Sequence, residues 1–578
     1  MEIILYVLNK VIIKEIDTIM IKNFLKENKL ILIIAFLTII VASIPLLQKK
    51  LVIGDDYEYH LARIQSITDS LKAGIFPVKV HSELGASYGY GSGLFYPNLF
   101  LYIPAIFELI GFDLILSYKI FIILMLCFMF IITFFSIKHI TDENNSALIG
   151  TVLIILSKAL ILNLYHRFAL GEFLGYIFIA PVIAGIYDFV YRDFKNPIYI
   201  FIGFFGLINT HLISTVICFV FCSIYCIIHI RSILKNWKKI LKIMLVAVLV
   251  LISTCSFWLP MIEQYGIQEY KFSEPWTSIQ NDEFRLIDAI GKGRYSLGFA
   301  IVLFIPILFI KLFDKELEIK SKEFFILAIF IVLLQITNIF WNLTKDYSNI
   351  IQFKWRLLGI DTVLFSISIA LSFKNLNTNF KYKFEYCIIV VFLIASYFSI
   401  DFIYYDSKID DLLDISNFES SGVYDFEFAI GGGREYLPIE TDYRTLISPN
   451  VAISSENEKI EVSKNNLNIE FYSEKSTKYY DIPFIYYKGY VANLTKEDGN
   501  IVGLEIEKNN STGMVRVYMP ENEQGRVHIW YNGTKIQKLS LLISVFSLII
   551  ICLAFIIYKI ANKNRVDIDE KSNRAILK

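Results

Sequence analysis

The sequence contains few charged residues. Only 19% of its 578 residues are Asp, Glu, Lys or Arg, whereas soluble domains carry about 25%. Acidic and basic residues number 55 each, so no excess positive charge favours a nucleic-acid partner. Hydrophobic residues make up 55% and fall in blocks of about 20, the helix length that crosses a bilayer. The composition therefore predicts an α-helical polytopic membrane protein.

Cysteine is missing from the polar parts of the chain. All seven cysteines fall inside apolar stretches, so no disulfide framework is predicted for an exported region. Cys218, Cys222 and Cys226 recur every four residues on one helix face, which favours helix packing over a redox or metal role. The sequence also lacks GxxxxGK(S/T), GxGxxG and HExxH motifs, so no nucleotide cofactor is expected.

The apolar blocks predict about 12 membrane spans. Residues 29–404 then form a transmembrane domain whose first extracytoplasmic loop is 49–113. The stretch 94–111, interrupted by Pro97 and Pro104, is predicted as a re-entrant or juxtamembrane segment. The spans are predicted at 29–48, 114–137, 146–164, 173–191, 197–209, 211–230, 239–258, 297–313, 323–342, 357–373, 386–404 and 538–559.

Lysine and arginine clusters in the short connections fix the predicted orientation. With this span count they all fall on one side of the membrane, which the positive-inside rule assigns to the cytoplasm. Both termini are then cytoplasmic, as an amphipathic segment at 1–28 and a tail at 560–578. The frequent use of Ile, Lys and Asn is typical of a low-GC bacterium, so the protein is predicted to lie in a bacterial plasma membrane.

Residues 405–537 differ in character from the rest of the chain. Alternation of polar and apolar residues, as in Lys459–Phe471, is typical of half-buried strands. Turn signals such as Asn509-Asn510 separate the strand candidates. We predict an extracytoplasmic β-sandwich held by the last span. Further strands are predicted at Tyr479–Val491, Gly503–Lys508, Gly513–Met519 and Gly525–Trp530.

An acidic run follows the first span. Asp55 and Asp56 precede a helical pattern that ends before Gly74, and carboxylates there must lie at the membrane surface or in a polar cavity. One aspartate can cap the helix while the other remains available. Either could act as a general base, or both could hold Mg²⁺ or Mn²⁺ beside a sugar phosphate. We therefore predict Asp56 and Asp55 as the catalytic or metal-binding residues.

Other polar residues are predicted to share the outer face. His166, Arg167 and Glu172 lie between two spans, where Arg167 could bind a phosphate or form a simple surface pair with Glu172. His211 at a helix junction is either a packing residue or part of a site. Gln352, Trp355 and Arg356 precede a later span, either as interfacial anchors or as ligands of a polyprenyl phosphate.

The loop at 85–97 is rich in glycine and tyrosine. Tyr88, Tyr90 and Tyr96 could stack on sugar rings, or they could belong to an interfacial aromatic belt. The two interpretations remain open from the sequence.

Several of these motifs resemble one known group. Asp56-x-x-x-His60-x-x-Arg63, Tyr88-Gly-Tyr-Gly and Leu94-Phe-Tyr-Pro97 are similar to motifs of bacterial multi-span membrane proteins labelled "6-pyruvoyl-tetrahydropterin synthase-related" and of the wider YfhO-like proteins. Gln352-Phe-Lys-Trp-Arg356 resembles that group's Gln-x-x-Trp-Arg element, with lysine where proline is usual. Glu435–Pro438 and Pro483–Tyr490 resemble elements of its exported β-domain.

This resemblance implies a GT-C type fold and transfer of sugars from polyprenyl-phosphate carriers. It places the first-loop acidic role on Asp56 or Asp55, and it adds His60 and Arg63 to the substrate-binding residues. The acceptor would be an envelope glycopolymer, glycolipid or protein. Two other hypotheses remain: a transporter or flippase of a lipid-linked intermediate, and a non-catalytic envelope scaffold.

Overall fold

The computed structural model describes residues 29–48, 51–52, 54–271, 279–280, 282–291, 295–313, 318–374, 378–406, 430, 434–442, 449–474 and 477–576. The predictions for 1–28, and for the part of the exported domain at 407–429, lie outside these residues. The described chain is a helical region followed by a separate β-sheet domain and a final long helix.

The helical region is built from apolar segments whose bounds follow the predicted blocks. The longer helices are α1 (Lys29–Ser43), α2 (Tyr57–Lys72), α5 (Leu114–Thr141), α6 (Asn144–Ile155), α8 (Leu170–Tyr191), α9 (Ile198–Ile208), α10 (Leu212–Ile228), α12 (Trp237–Ser253), α13 (Cys255–Tyr265), α15 (Phe299–Lys311), α16 (Ile319–Ile336), α19 (Leu358–Phe373), α20 (Thr378–Asp406) and α21 (Lys535–Ile576). The shorter ones are α3 (Ser92–Phe95), α4 (Tyr102–Leu109), α7 (Lys158–Ile161), α11 (Ile230–Leu234), α14 (Leu286–Ile290), α17 (Ile339–Leu343) and α18 (Lys345–Ser348).

Every predicted span contains a helix, but the helices differ in length. Among the residues that the structure describes, five helices are long and apolar enough to cross a bilayer, and the number rises to 7 if each of two bent pairs counts as one span. One pair joins Asn144–Ile155 to Lys158–His166 with a bend of 41°, and the other bends by 71° between Trp237–Ser253 and Cys255–Tyr265. The protein is therefore a membrane protein with several spans, fewer by this criterion than the predicted 12.

The structure adds detail to two predicted segments. The segment 94–111, predicted as re-entrant or juxtamembrane and not as a full span, contains the end of the four-residue helix Ser92–Phe95, a 3₁₀ turn at Leu99–Leu101 and the helix Tyr102–Leu109. The last predicted span and its tail form one continuous helix, of which Lys535–Ala554 is the apolar part. Apolar runs predict the buried part of a helix better than its ends.

The described residues of 405–537 form two five-stranded antiparallel sheets. One has the order β2-β1-β5-β9-β8 and the other β3-β4-β10-β6-β7. The strands are β1 (Val451–Ser454), β2 (Lys459–Glu461), β3 (Ser463–Asn465), β4 (Asn468–Ser473), β5 (Tyr479–Ile485), β6 (Tyr490–Lys496), β7 (Ile501–Leu504), β8 (Ile506–Lys508), β9 (Met514–Tyr518) and β10 (Gly525–Tyr531). Inward residues of both sheets share one hydrophobic core, as expected of a β-sandwich.

Three predicted strands are divided in the structure. Lys459–Phe471 is split by a turn at Asn466, whose φ of 52° is a conformation that asparagine tolerates. Tyr479–Val491 breaks at Gly489, with φ of 137°, and its two halves join different sheets. Gly503–Lys508 likewise contributes to one sheet before Glu505 and to the other after it. Alternation identified most of the strands, but it missed β1 and the points where the chain changes sheet.

The first loop packs against the sandwich. The Ile485 N–H donates to Tyr88 O over 2.9 Å, and the Phe95 ring stacks on Tyr436 with centroids 5.3 Å apart. At Gly91 the backbone lies so close to Tyr487 that an added Cβ would be 2.5 Å from its ring. The loop therefore connects α2 to the sandwich through a packed aromatic core.

Candidate functional site

The acidic run is held in place by its backbone. The N–H groups of Asp55 and Asp56 donate to the carbonyls of His166 and Arg167, over 3.0 and 2.9 Å. Gly54 permits this approach, because an added Cβ would lie 2.7 Å from the Tyr165 carbonyl oxygen. The structure thus brings together the first loop and the 166–172 segment, two motifs that are over 100 residues apart in sequence.

Asp56 and Asp55 differ in their surroundings. Asp56 occupies the N-cap position of α2, but its side chain makes no capping hydrogen bond. It is half-buried, whereas Asp55 is exposed. Burial raises the pKa of the Asp56 carboxyl above its ordinary value, and the guanidiniums of Arg167 and Arg356 counteract this rise. The capping alternative considered from the sequence therefore does not apply to the Asp56 side chain.

Glu172, at the start of α8, is the centre of a buried polar cluster. Its carboxylate accepts from Arg167 over 2.8 Å and from the Asn163 amide over 3.2 Å. Arg356 Nε lies 3.8 Å from the same carboxylate. The Glu172 side chain is only 3% exposed and that of Arg167 is 10% exposed, so this is a buried ion pair rather than the simple surface pair. Two arginines thus share one carboxylate.

Aromatic rings cover the arginines. The Arg167 guanidinium lies 4.1 Å from the centroid of the Trp355 ring, and Arg356 lies 5.6 Å from the same ring. Trp355 stacks in turn on Tyr295 at 4.6 Å. Gln352 accepts a hydrogen bond from Arg356 and fixes its orientation. The 352–356 motif and the 166–172 motif therefore meet at Glu172 and Trp355.

A second polar group lies further along α2. Arg63 is 1% exposed and donates to Pro97 O over 3.0 Å and to Asn98 Oδ1 over 2.6 Å. Its guanidinium lies 4.4 Å from the centroid of the Tyr96 ring. Burial and the charge of Arg63 lower the pKa of His60 well below 6.5, so the imidazole is neutral at physiological pH.

The three predicted tyrosines of the loop at 85–97 lie in different surroundings. Tyr88 and Tyr90 lie in the core between the first loop and the sandwich, where the Tyr90 hydroxyl donates to the Ile430 and Glu435 carbonyls. Their rings are packing residues here, which does not fit the predicted sugar stacking. Only Tyr96 of the three borders the polar cluster.

Two histidines are placed beside the arginine pair. His211 Nδ1 lies 2.8 Å from Ser214 Oγ and accepts from the Ser214 N–H, so it caps α10. This is the packing alternative given for His211, although the residue also lies against α8 at Gly175. His166 contributes its carbonyl to Asp55.

The donor set for a metal is incomplete in the part of the chain that the structure describes. No group of three His, Cys, Asp or Glu side chains there could hold a metal ion. Asp55 and Asp56 supply two neighbouring carboxylates. Mg²⁺ is commonly held by one or two carboxylates together with substrate phosphate and water, so this pair fits the ion only in combination with a phosphate.

Sequence reasoning missed two residues of the cluster. Asn163 joins Glu172 to Arg167 and also lies 3.4 Å from the Tyr176 hydroxyl. In the sequence, Asn163 is marked only as an amide side chain inside an apolar run. Asn98 connects Arg63 to the Val78 carbonyl, and it directly follows the glycine- and tyrosine-rich loop, where the sequence shows no helical periodicity.

Comparisons with known proteins give distant matches. No family model matches the sequence. A protein of Lactococcus lactis subsp. cremoris (strain MG1363), named "Uncharacterized protein", is 26% identical over 343 residues. The match covers 56% of this chain and 56% of that protein, so the chain spans about half the length of the relative it matches.

One solved structure that the comparison matched is the crystal structure of the Archaeoglobus fulgidus oligosaccharyltransferase in complex with Zn and sulfate. Its TM-score is 0.39 at 12% sequence identity, and the match covers 65% of this chain and 52% of that one.

Proposed function

We propose that this protein is a membrane glycosyltransferase of GT-C type that moves a sugar from a polyprenyl-phosphate donor to a cell-envelope acceptor. It would act at the outer face of a bacterial plasma membrane, with about 12 spans, both termini in the cytoplasm and the sandwich outside. The observation that carries the proposal is Asp56, a carboxylate without a capping bond, close to two buried arginines that share one glutamate.

Asp56 would act as the general base. A base must be within hydrogen-bond reach of the acceptor hydroxyl and must be ionised. The raised pKa of Asp56 makes it a stronger base than an exposed aspartate. In the proposed step, the acceptor oxygen attacks the anomeric carbon as its proton passes to Asp56. The bond from that carbon to the phosphate oxygen breaks, and polyprenyl phosphate leaves with the electron pair.

Arg167 and Arg356 would hold the donor phosphate. Arginine binds phosphate through two parallel N–H groups, and such bonds are about twice as strong as neutral ones. Arg356 Nε is buried without a hydrogen-bond partner among the described residues, which leaves a donor for a phosphate oxygen. Trp355 and Gln352 orient the two guanidiniums. Their positive charge would stabilise the leaving phosphate as negative charge develops on it.

Tyr96 and the two aspartates have further roles in the proposed site. Tyr96 would contact the sugar, because it is the loop tyrosine that borders the polar cluster.

Asp55 and Asp56 would hold Mg²⁺ or Mn²⁺ together with the donor phosphate if the enzyme uses an ion, which would neutralise charge on that phosphate. A requirement for the ion would assign Asp56 the role of ligand instead of base.

The proposal can be tested with the purified full chain in lipid vesicles. Vesicles would contain lipids extracted from the native envelope, and the readout would be free polyprenyl phosphate, which transfer releases. We expect release by the wild type and by the matched control Asp142→Asn, whose carboxylate lies in an exposed pair with Arg192. Asp56→Asn should lose release by about 100-fold or more. Equal release by Asp56→Asn and by the Asp55/Asp56 double variant would reject the mechanism, and a loss reversed by Mg²⁺ after EDTA would identify an ion.

A further inference from the structure

Arg63 is a buried cation without a carboxylate partner. It is 1% exposed, and both of its hydrogen bonds go to neutral acceptors, the Pro97 carbonyl and the Asn98 amide oxygen. No described carboxylate lies within salt-bridge distance of it, although the chain forms such pairs elsewhere. Removing a charge from water costs several kcal/mol unless a countercharge compensates for it. The proposed donor-phosphate site does not use this residue.

The distribution of charge in the whole cluster also indicates that Arg63 lacks a countercharge. The cluster contains three guanidiniums, those of Arg63, Arg167 and Arg356, and two carboxylates that are at least partly buried, Asp56 and Glu172. His60 is neutral and adds no charge. Arg167 and Arg356 both lie within 4 Å of the Glu172 carboxylate, whereas Arg63 has no described carboxylate within salt-bridge distance. A ligand that brings negative charge would balance it.

Two buried nitrogen atoms without a hydrogen-bond partner belong to residues that line a small cavity at this position. Arg63 Nε and His60 Nδ1 are buried and have no hydrogen-bond partner among the residues that the structure describes. The cavity beside them has a volume of about 10 Å³, room for about one water, and Asn209 and Thr210 also line it. Tyr96 forms one wall and lies over the guanidinium at 4.4 Å. The Tyr96 ring compensates only part of the Arg63 charge, because a cation–π contact is weaker than an ion pair.

The two arginine sites are aligned along one helix face. Asp56, His60 and Arg63 lie at positions i, i+4 and i+7 of α2, which share a face. At 1.5 Å per residue, Arg63 is about 10 Å along the axis from Asp56. The Arg63 cavity is therefore displaced along α2 from the proposed base.

We propose that Arg63, with His60, forms a second anion subsite that takes a phosphate or carboxylate group of a substrate. The group enters as Tyr96 turns away from the guanidinium. The inference rests on the proposed function for its substrate, which would be either a donor with two phosphates or an acceptor with an anionic group. In both cases the chemistry at Arg63 is the same.

Binding to the detergent-purified full chain tests the subsite. The probes are polyprenyl monophosphate, polyprenyl diphosphate, and inorganic phosphate added at saturating polyprenyl monophosphate. If the group belongs to the donor, the wild type prefers the diphosphate, and Arg63→Gln loses that preference by about tenfold to a hundredfold. If it belongs to the acceptor, the diphosphate is not preferred. Inorganic phosphate then binds beside the monophosphate in the wild type but not in Arg63→Gln.

Controls separate this subsite from a structural role and from the proposed function. Arg192→Gln, on an exposed pair, should bind every probe like the wild type. If Arg63→Gln does not fold, Arg63→Lys keeps the charge but not the planar fork and should still weaken the second anion. Wild-type binding of all three probes by folded Arg63→Gln or Arg63→Lys would overturn the subsite. If the wild-type protein shows no transfer activity but its binding of the probes depends on Arg63, the subsite is upheld and the proposed function is rejected.

Discussion

The buried ion pair at Glu172 gives a quantitative prediction. Glu172→Gln keeps the shape of the side chain and an acceptor for the Asn163 amide, but it removes the charge that faces Arg167 at 2.8 Å and Arg356 at 3.8 Å. Removing one partner of a buried pair costs about 3–5 kcal/mol, because the remaining charge is left buried without compensation. Here two guanidiniums are left facing each other, so we expect the upper part of that range.

A double-mutant cycle measures this interaction. Arg167→Gln alone should also be strongly destabilising, whereas Glu172→Gln with Arg167→Gln should recover about 2–3 kcal/mol of the summed loss. The assay is unfolding of the purified protein by titration with SDS in mixed micelles, followed by tryptophan fluorescence. Trp355 lies directly against Arg167 and reports on the site.

The matched control is the pair of Arg192 and Asp142, which has a shorter distance of 2.6 Å but an Asp142 side chain that is 60% exposed. Its cycle with Arg192→Gln and Asp142→Asn should give about 0–1 kcal/mol, because solvent screens exposed pairs. Equal coupling energies for the two pairs, or additive effects at Glu172 and Arg167, would refute the buried two-arginine arrangement.

Three further predictions concern Asp56, Gly171 and Gly91. Because the folded-state pKa of Asp56 is raised, its ionisation costs stability once the pH exceeds the unfolded value near 3.8, so Asp56→Asn should unfold at or above the wild-type midpoint at pH 7. On acidification, the rate of transfer should begin to fall at a higher pH than it would with an exposed aspartate as the base. A pH–rate profile measures this. A lower midpoint for Asp56→Asn would contradict the burial of the carboxylate. Gly171→Ala would place a Cβ 1.9 Å from the Tyr96 hydroxyl oxygen and 3.0 Å from the Thr210 carbonyl, so it should reduce transfer, and Gly171→Ala with Tyr96→Phe should recover part of it. Gly91→Ala should lower the free energy of unfolding by about 1–3 kcal/mol, because its Cβ would overlap the Tyr487 ring, whereas Gly503→Ala, which meets no neighbour, should lose less.

The sequence predicted those parts of the fold that depend on local patterns. Apolar runs located a helix in each predicted span, since a membrane segment needs continuous hydrophobicity, and alternation located most strands of the sandwich. The ends of Lys535–Ile576 and the division at Gly489 were missed, because a charged helix extension and a change of sheet leave no periodic signal.

The candidate site was predicted in its residues but not in its contacts. The expectation that polar residues gather on one face placed Asp56, Arg167 and Arg356 together, and the structure brings them into one cluster. The burial of Tyr90 in the sandwich contact could not be predicted, because an aromatic loop residue has the same pattern whether it packs or binds. Asn163 was missed because a hydrogen bond across one helical turn is not visible as a motif.

The most direct test is mass spectrometry of envelope glycans and glycolipids. The samples would be a deletion strain and the same strain complemented with the wild type, with Asp56→Ala, with Asp55→Ala, or with the double variant, all expressed at equal level. We predict that one defined sugar is missing in the deletion strain, is restored by the wild type, and is not restored by Asp56→Ala. Full restoration by Asp56→Ala, by Asp55→Ala and by the double variant would contradict glycosyl transfer through these carboxylates and would favour a transporter or a scaffold.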